Sequence, residues 1–217
     1  MHATTTAALA AALLFVAPAA AATEERASPA VPSLHGAESL DGGSLATAWA
    51  GYASLGLAYG QGLSKQDDLG AMAEFDWSST ELWLSAFWRR PFGAAGGWDL
   101  AGRLKAGWYL DFGGKWIHDD NAADRGLLLA PALIASTRVG EGLVSATAEL
   151  PLTFTFWRDG GFIVAPKVSA GYETSLYGPV TIGVRAAVTW RGGGGDAPMR
   201  SGRFEPELLV LAGYNLL

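Results

Sequence analysis

The sequence predicts an all-β chain that closes into one antiparallel transmembrane β-barrel, with ten strands favoured and eight as the smaller alternative. Three observations carry that expectation. Apolar and polar residues alternate with period two in segment after segment from Ser44 onward. The alternating runs reach 12–15 residues, against ~5–6 for strands of ordinary globular sheets. Aromatic residues gather near the ends of the apolar stripes. Composition agrees: 50% of the 217 residues are hydrophobic and only 17% charged, yet no apolar run after the first 22 residues reaches the ~18 that a spanning helix needs. A net charge of −6 without a basic cluster argues against nucleic acid as a partner.

Taken in order, residues 1–22 (MHATTTAALAAALLFVAPAAAA) have the pattern of a secretory signal peptide. Ala7 to Ala17 forms its apolar segment, and Ala20-Ala21-Ala22 supplies a small-residue cleavage motif. Cysteine is absent, so an exported chain of this kind is held together without disulfides. Residues 23–43, TEERASPAVPSLHGAESLDGG, show no period and are expected to form a flexible periplasmic leader. Residues 44–217 are expected to form the barrel. The stretch SLATAWAGYASLGLAYG reads as one long strand or as two turning near Gly51-Tyr52, and two gives the even total that single-chain outer-membrane barrels use.

The next strands alternate plainly. Leu69, Ala71, Ala73, Phe75 and Trp77 oppose Glu74 and Asp76; Leu82, Leu84, Ala86 and Trp88 oppose Glu81, Ser85 and Arg89. In WDLAGRLKAGWYLDF, Trp98, Leu100, Leu104 and Trp108 fall on one face and Asp99, Arg103, Lys105 and Asp111 on the other. Gly126 to Ser136 is apolar on both faces and has no orientation by period alone. Three further strands set Glu149, then Lys167 with Glu173, then Arg185 with Arg191, against apolar stripes; the last carries Glu205 and Glu207 opposite Phe204, Leu208, Val210 and Tyr214. Pro131, Pro151, Pro166 and Pro206 fall inside these strands, where each removes a ladder donor. Bulges or positions near a rim are expected there.

The two longest connections, near residues 113–125 and 191–202, fall on the same side of the sheet. Short turns on one rim and longer loops on the other suit a membrane barrel, whose apolar face meets lipid and whose polar face is enclosed. Trp98 and Trp108 are ten residues apart, roughly 33 Å along a strand; a tilt of about 45° projects this to about 23 Å, near the height of a lipid-facing band between aromatic girdles. The girdle is assigned to Trp77, Trp88, Trp98, Trp108, Trp190 and Tyr214.

On these features residues 44–217 resemble the small outer-membrane β-barrel proteins of Gram-negative bacteria. The resemblance implies residence in the bacterial outer membrane, contact with its lipid, and insertion by the membrane's assembly machinery through the C-terminal strand. Leu208, Val210, Ala212, Tyr214 and Leu216 supply that strand's alternation, although Leu217 stands where such strands usually end in an aromatic residue.

The candidate site is the set of lumen charges Glu74, Arg103, Lys105, Glu149, Lys167, Arg185 and Glu207. Opposite charges enclosed in a narrow, low-dielectric interior attract strongly. They form either a salt-bridged filling or a charge-selective constriction for small solutes, because ten strands leave little room beyond their own side chains. The expected role is therefore structural or that of a narrow channel, with no catalysis, cofactor or metal. Two alternatives come from other classes. One is an outer-rim enzyme acting on membrane lipid, for which His118 with Asp119, Asp120 and Asp124 would offer a base or hard-cation oxygens; a lipid A deacylase would carry a serine two residues after that histidine, where Asp120 stands. The other is a soluble exported lipocalin-like binder with its apolar residues turned inward. RGGGGD at 191–196 lacks the Lys-Ser/Thr of a phosphate loop and reads as a flexible surface loop.

Overall fold

The computed structural model describes residues 31–113, 123–156, 160–195 and 203–216. Among these there is no helix. The strands are β1 (Ser44–Tyr52), β2 (Ser54–Gly62), β3 (Asp68–Asp76), β4 (Glu81–Ala95), β5 (Trp98–Asp111), β6 (Asp124–Val139), β7 (Gly142–Glu149), β8 (Leu152–Thr155), β9 (Gly161–Val164), β10 (Lys167–Tyr177), β11 (Val180–Gly195) and β12 (Arg203–Leu216). Neighbours pair antiparallel, and β12 returns to β1 from Ser44↔Leu216 to Tyr52↔Leu208, which closes the sheet.

Twelve segments make ten barrel strands, because β7 with β8 and β9 with β10 are each one strand crossing a proline. The register shows it: Ala132↔Glu149 and Leu129↔Leu152 lie on the same diagonal, as do Lys167↔Glu149 and Leu152↔Val164. The fold is thus a closed antiparallel ten-stranded β-barrel.

The expectation of bulges is corrected by this register at Pro131, Pro151 and Pro166, while Pro206, three residues after β12 begins at Arg203, has the other expected placement, near a rim. Leu150 N–H donates to Pro131 O, Ala165 N–H to Pro151 O, and Trp190 N–H to Pro166 O, each at 2.9 Å. Each pair keeps the bond in which proline accepts and loses the reciprocal one, since proline has no N–H. A half-bonded pair therefore suffices, and the ladder does not shift. Pro206 pairs with Val188, two residues past the Tyr52↔Leu208 pair where β1 ends, so its nitrogen needs no partner on that side. Register shifts occur instead at Pro91/Gly93 and Ser175/Tyr177.

One rim gathers the turns at Ala53 and 77–80 together with the connections after β5, β8 and β11. The other gathers the tight turns and the end of β12. The chain between 44 and 62 turns at Ala53, so two strands form rather than one. Gly96 and Gly97, with φ of 60° and 80°, make the two-residue turn joining β4 to β5, a conformation that costs a Cβ-bearing residue more. β11 runs through Gly195, so residues 191–195 are wall rather than loop.

The orientation of the faces is settled by exposure. Leu104 and Ile182 are 40% and 38% exposed on the outer wall, whereas Lys105 and Arg185 point inward with 5% each. The doubly apolar segment is now oriented as well: Leu127, Leu129 and Leu133 face out, and Leu128, Ala130 and Ile134 face in. The lumen has two sides. Leu45, Trp49, Ala58, Met72, Phe87, Leu209 and Leu211 make an apolar half, and β5 through β11 supply most of the charge.

Residues 31–43 do not remain a free leader outside the fold. Val31, Ser33, Leu34 and Ala37 are buried, and Leu34 completes the apolar cluster with Trp49 and Phe87. The segment fills the turn-rim end of the barrel before β1 begins at Ser44.

Candidate functional site

Period-two geometry places every second residue of a strand inside the barrel, so the site's inventory follows from residue parity. All seven expected lumen charges point inward, and most are joined. Glu149, on the β7 end directly opposite Lys167 of β10, accepts from Arg103 Nη2 at 2.6 Å and lies 2.5 Å from Lys105 Nζ. Lys167 Nζ donates to Glu207 Oε2 at 2.6 Å and lies 3.7 Å from Glu74. Arg185 is different. Its Nη1 and Nη2 donate to the Ser169 and Ser145 hydroxyls, each at 2.9 Å, and among the described residues no carboxylate forms an ion pair with it.

Two further layers lie beyond that set. Toward the loop rim, Arg191 pairs with Glu81 and, at 3.6 Å, with Glu205; Tyr109 Oη donates to Glu81 at 3.3 Å. Toward the turn rim, the fully buried Arg89 binds Asp68 through Nε at 2.8 Å and Nη2 at 2.7 Å. The same guanidinium donates through Nη1 to Ser33 O at 2.7 Å and Gly36 O at 2.8 Å. Arg89 and Arg103 sit directly opposite one another in the β4–β5 ladder, a repulsive placement unless each has its own carboxylate. Arg89 turns to Asp68 and Arg103 to Glu149, which resolves it.

With Glu173, which accepts from Ser33, these layers contain buried ionic residues absent from the expected lumen set: Asp68, Glu81, Arg89 and Arg191. Parity was available as a signal, since Glu81, Arg89 and Arg103 share the inward face. Asp68, Arg89 and Glu173 hold the plug, which parity does not report, whereas Glu81 and Arg191 pair with one another toward the loop rim.

The plug is held by polar contacts from around the circumference. Ser33 Oγ donates to Glu173 Oε1 at 2.7 Å, Ala37 N–H to Ser136 Oγ at 2.9 Å, and Arg138 Nη2 to Glu38 Oε2 at 2.8 Å. The His35 ring meets Trp49 edge-on at 6.1 Å between centroids. Glycine makes the space: a Cβ at Gly60 would lie 2.5 Å from Leu34 Cδ2. Gly60→Val is therefore expected to push Leu34 out of the lumen at a cost of about 1–3 kcal/mol. Because the chain has no cysteine, a Leu34→Cys probe reads this directly: its alkylation rate should rise at least tenfold in the valine background, and an unchanged rate would refute the contact.

Burial, followed by Arg185, Arg103, Arg89 and Lys105, holds the His35 imidazole well below its ordinary value of 6.5. A histidine kept neutral in the folded state makes protonation favour the unfolded or unplugged chain. Plug stability should be complete above about pH 6.5 and fall as pH drops below it. Leu34→Cys alkylation measured from pH 7.5 to 5, corrected for thiolate fraction, should accelerate toward acid; His35→Gln should flatten the profile.

The six aromatics assigned to the girdle lie on the outer wall. Trp77, Trp108 and Trp190 sit toward the loop rim, and Trp88, Trp98 and Tyr214 toward the turn rim. Trp77 packs edge-on against Tyr52 and Trp108 against Phe156, while Trp88 Nε1–H donates to Asp67 at 2.8 Å. Trp49 and Trp83 point inward. His118, Asp119 and Asp120 lie outside the described residues; Asp124 opens β6, buried and opposite Asp111. Among the described residues no group of three or more His, Asp or Glu side chains is arranged to hold a metal.

Geometry alone thus defines the class: a closed ten-stranded antiparallel β-barrel with an apolar exterior, an ion-paired lumen and an internal N-terminal plug. Comparison with protein families, curated proteins and solved structures finds no match for this chain.

Proposed function

We propose that this chain is a Gram-negative outer-membrane β-barrel protein with a structural role, its lumen kept shut by its own plug and layered ion pairs. The observation that carries the reading is the inversion of the two faces. Large apolar side chains such as Leu57, Leu133, Val184 and Val210 are more than half exposed around the wall, while Arg89, Arg103, Lys105 and Glu149 are buried. In water that exterior is far larger than the apolar patches monomeric soluble proteins show; against acyl chains it is the expected surface. The lipocalin-like alternative needs an apolar cavity for its ligand, and the apolar half of this lumen is occupied by Leu34.

Outer-membrane lipid is the partner this reading supplies, and β12, with Leu208, Val210, Ala212 and Tyr214 facing out, is the strand offered to an insertion machinery. The test is reconstitution. The full chain should require detergent or lipid to stay monodisperse, migrate faster unheated than heated on a denaturing gel, and show little or no steady conductance in a planar bilayer. A chain that is monodisperse and folded in plain buffer overturns the proposal.

A further inference from the structure

We propose that the lumen binds a small monovalent inorganic anion of chloride size, in the cavity between the plug and the central ion-pair layer, with Arg185 and Arg103 as its guanidinium ligands. The cavity has a volume of about 50 Å³, where one water needs about 10–15 Å³. It is too small for a sugar or nucleotide and large enough for an ion retaining part of its hydration.

Its lining is unbalanced. Arg103, Lys105, Lys167 and Arg185 face it together with only two carboxylates, Glu74 and Glu149. Glu207 neutralises Lys167 from behind, at 2.6 Å. Glu173, whose Oε1 accepts from Ser33, makes no ion pair with Arg185. Glu173 offsets Arg185 from a longer range, outside the lining; among the groups that line the cavity one positive charge is left over, and Arg185 is the one without an ion-paired carboxylate among the described residues.

The donors left over agree. Arg103 Nε and Arg185 Nε are sealed from solvent without a hydrogen-bond partner, and both side chains are more than nine-tenths buried. His35 Nε2, on the plug side of the same cavity, is likewise sealed and unpartnered. A buried guanidinium lacking a counter-charge is costly, and a buried N–H without an acceptor adds to the cost. Water supplies acceptors but no charge. A monovalent anion supplies both, and a multivalent one would meet Glu74 and Glu149 across the same small space. A neighbouring cavity of about 30 Å³, nearer the loop rim, has the opposite balance: Glu74, Asp76, Glu149, Glu205 and Glu207 exceed its three cations, Lys105, Lys167 and Arg191. The anion site is therefore local to the plug side and not a general property of the lumen.

The cavity lies behind the plug, so the ion is best introduced during folding. The full chain is refolded in sodium bromide and crystallised from it, and anomalous scattering at the bromine edge is measured. A peak within about 3.5 Å of Arg185 Nε is expected. In parallel, the melting temperature in detergent should rise with bromide or chloride and level off, relative to sodium gluconate at equal ionic strength. Arg185→Gln should abolish that halide-specific rise. Bromide peaks only on the exterior, or equal melting in bromide and gluconate, overturns the proposal. If Arg185→Gln fails to fold, the wild-type anomalous map decides alone.

Discussion

Replacing Arg89 by methionine is expected to release the plug and to destabilise the barrel by about 3–5 kcal/mol, the cost of leaving a buried charge without its partner. Asp68, itself fully buried, loses both of its guanidinium contacts, and the Ser33 and Gly36 carbonyls lose their donor. Methionine fills much of the volume, so the effect belongs to the charge and hydrogen bonds rather than to a void. Two readouts separate wall from plug: urea unfolding of the heat-modifiable band, and alkylation of Leu34→Cys. Both should change strongly, and bilayer conductance should rise because the turn-rim end is vacated. Adding Asp68→Asn should restore part of the stability without restoring the plug, since the neutral amide no longer needs a cation but nothing replaces Arg89 at the plug carbonyls. Unaltered cysteine protection in the Arg89→Met chain would falsify the assignment of Arg89 as the plug's anchor.

Glu149→Gln should be nearly as costly, about 3–5 kcal/mol on the same grounds, and it should act on the wall itself. Glu149 serves Arg103 and Lys105 at once. Its neutralisation leaves both cations buried beside Arg185. Urea midpoints of the folded band measure the loss; Glu149→Asp, which keeps the charge, should recover a substantial part of it. Any ion passage that remains should shift toward anions, which reversal potentials in a salt gradient would show. A midpoint equal to wild type would mean that the central layer does not support the barrel.

The favoured count of ten strands, a turn close to Gly51-Tyr52 (at Ala53 in the structure) and the alternation of outward and inward residues were legible in the sequence, because period two is a geometric property of the strand itself. Leu104 and Lys105 are adjacent, and one faces out and the other in. What alternation cannot report is partner choice. It places Arg89 and Arg103 on the same wall but does not say that one turns toward Asp68 and the other toward Glu149. Nor does it recognise a segment anchored through backbone carbonyls and serine hydroxyls, which is why residues 31–43 read as a loose leader. The prolines misled for a related reason. A missing donor suggested a distorted ladder, yet the wall keeps its register by giving up one bond of a pair, as between Leu150 and Pro131. The outward Leu127 and the inward Leu128 have the same chemistry, and only the closed curvature distinguishes them.

The polar anchors of the plug lie on β3, β4, β6 and β10: Asp68, Arg89, Ser136 and Glu173. Leu34 adds an apolar cluster with Leu45 and Trp49 of β1 and Leu209 and Leu211 of β12, so no single hairpin provides the binding place, which is complete only once the wall has come full circle. The stretch of chain made ahead of every strand is thus the last to settle, and its docking acts as a latch that reports a finished cylinder.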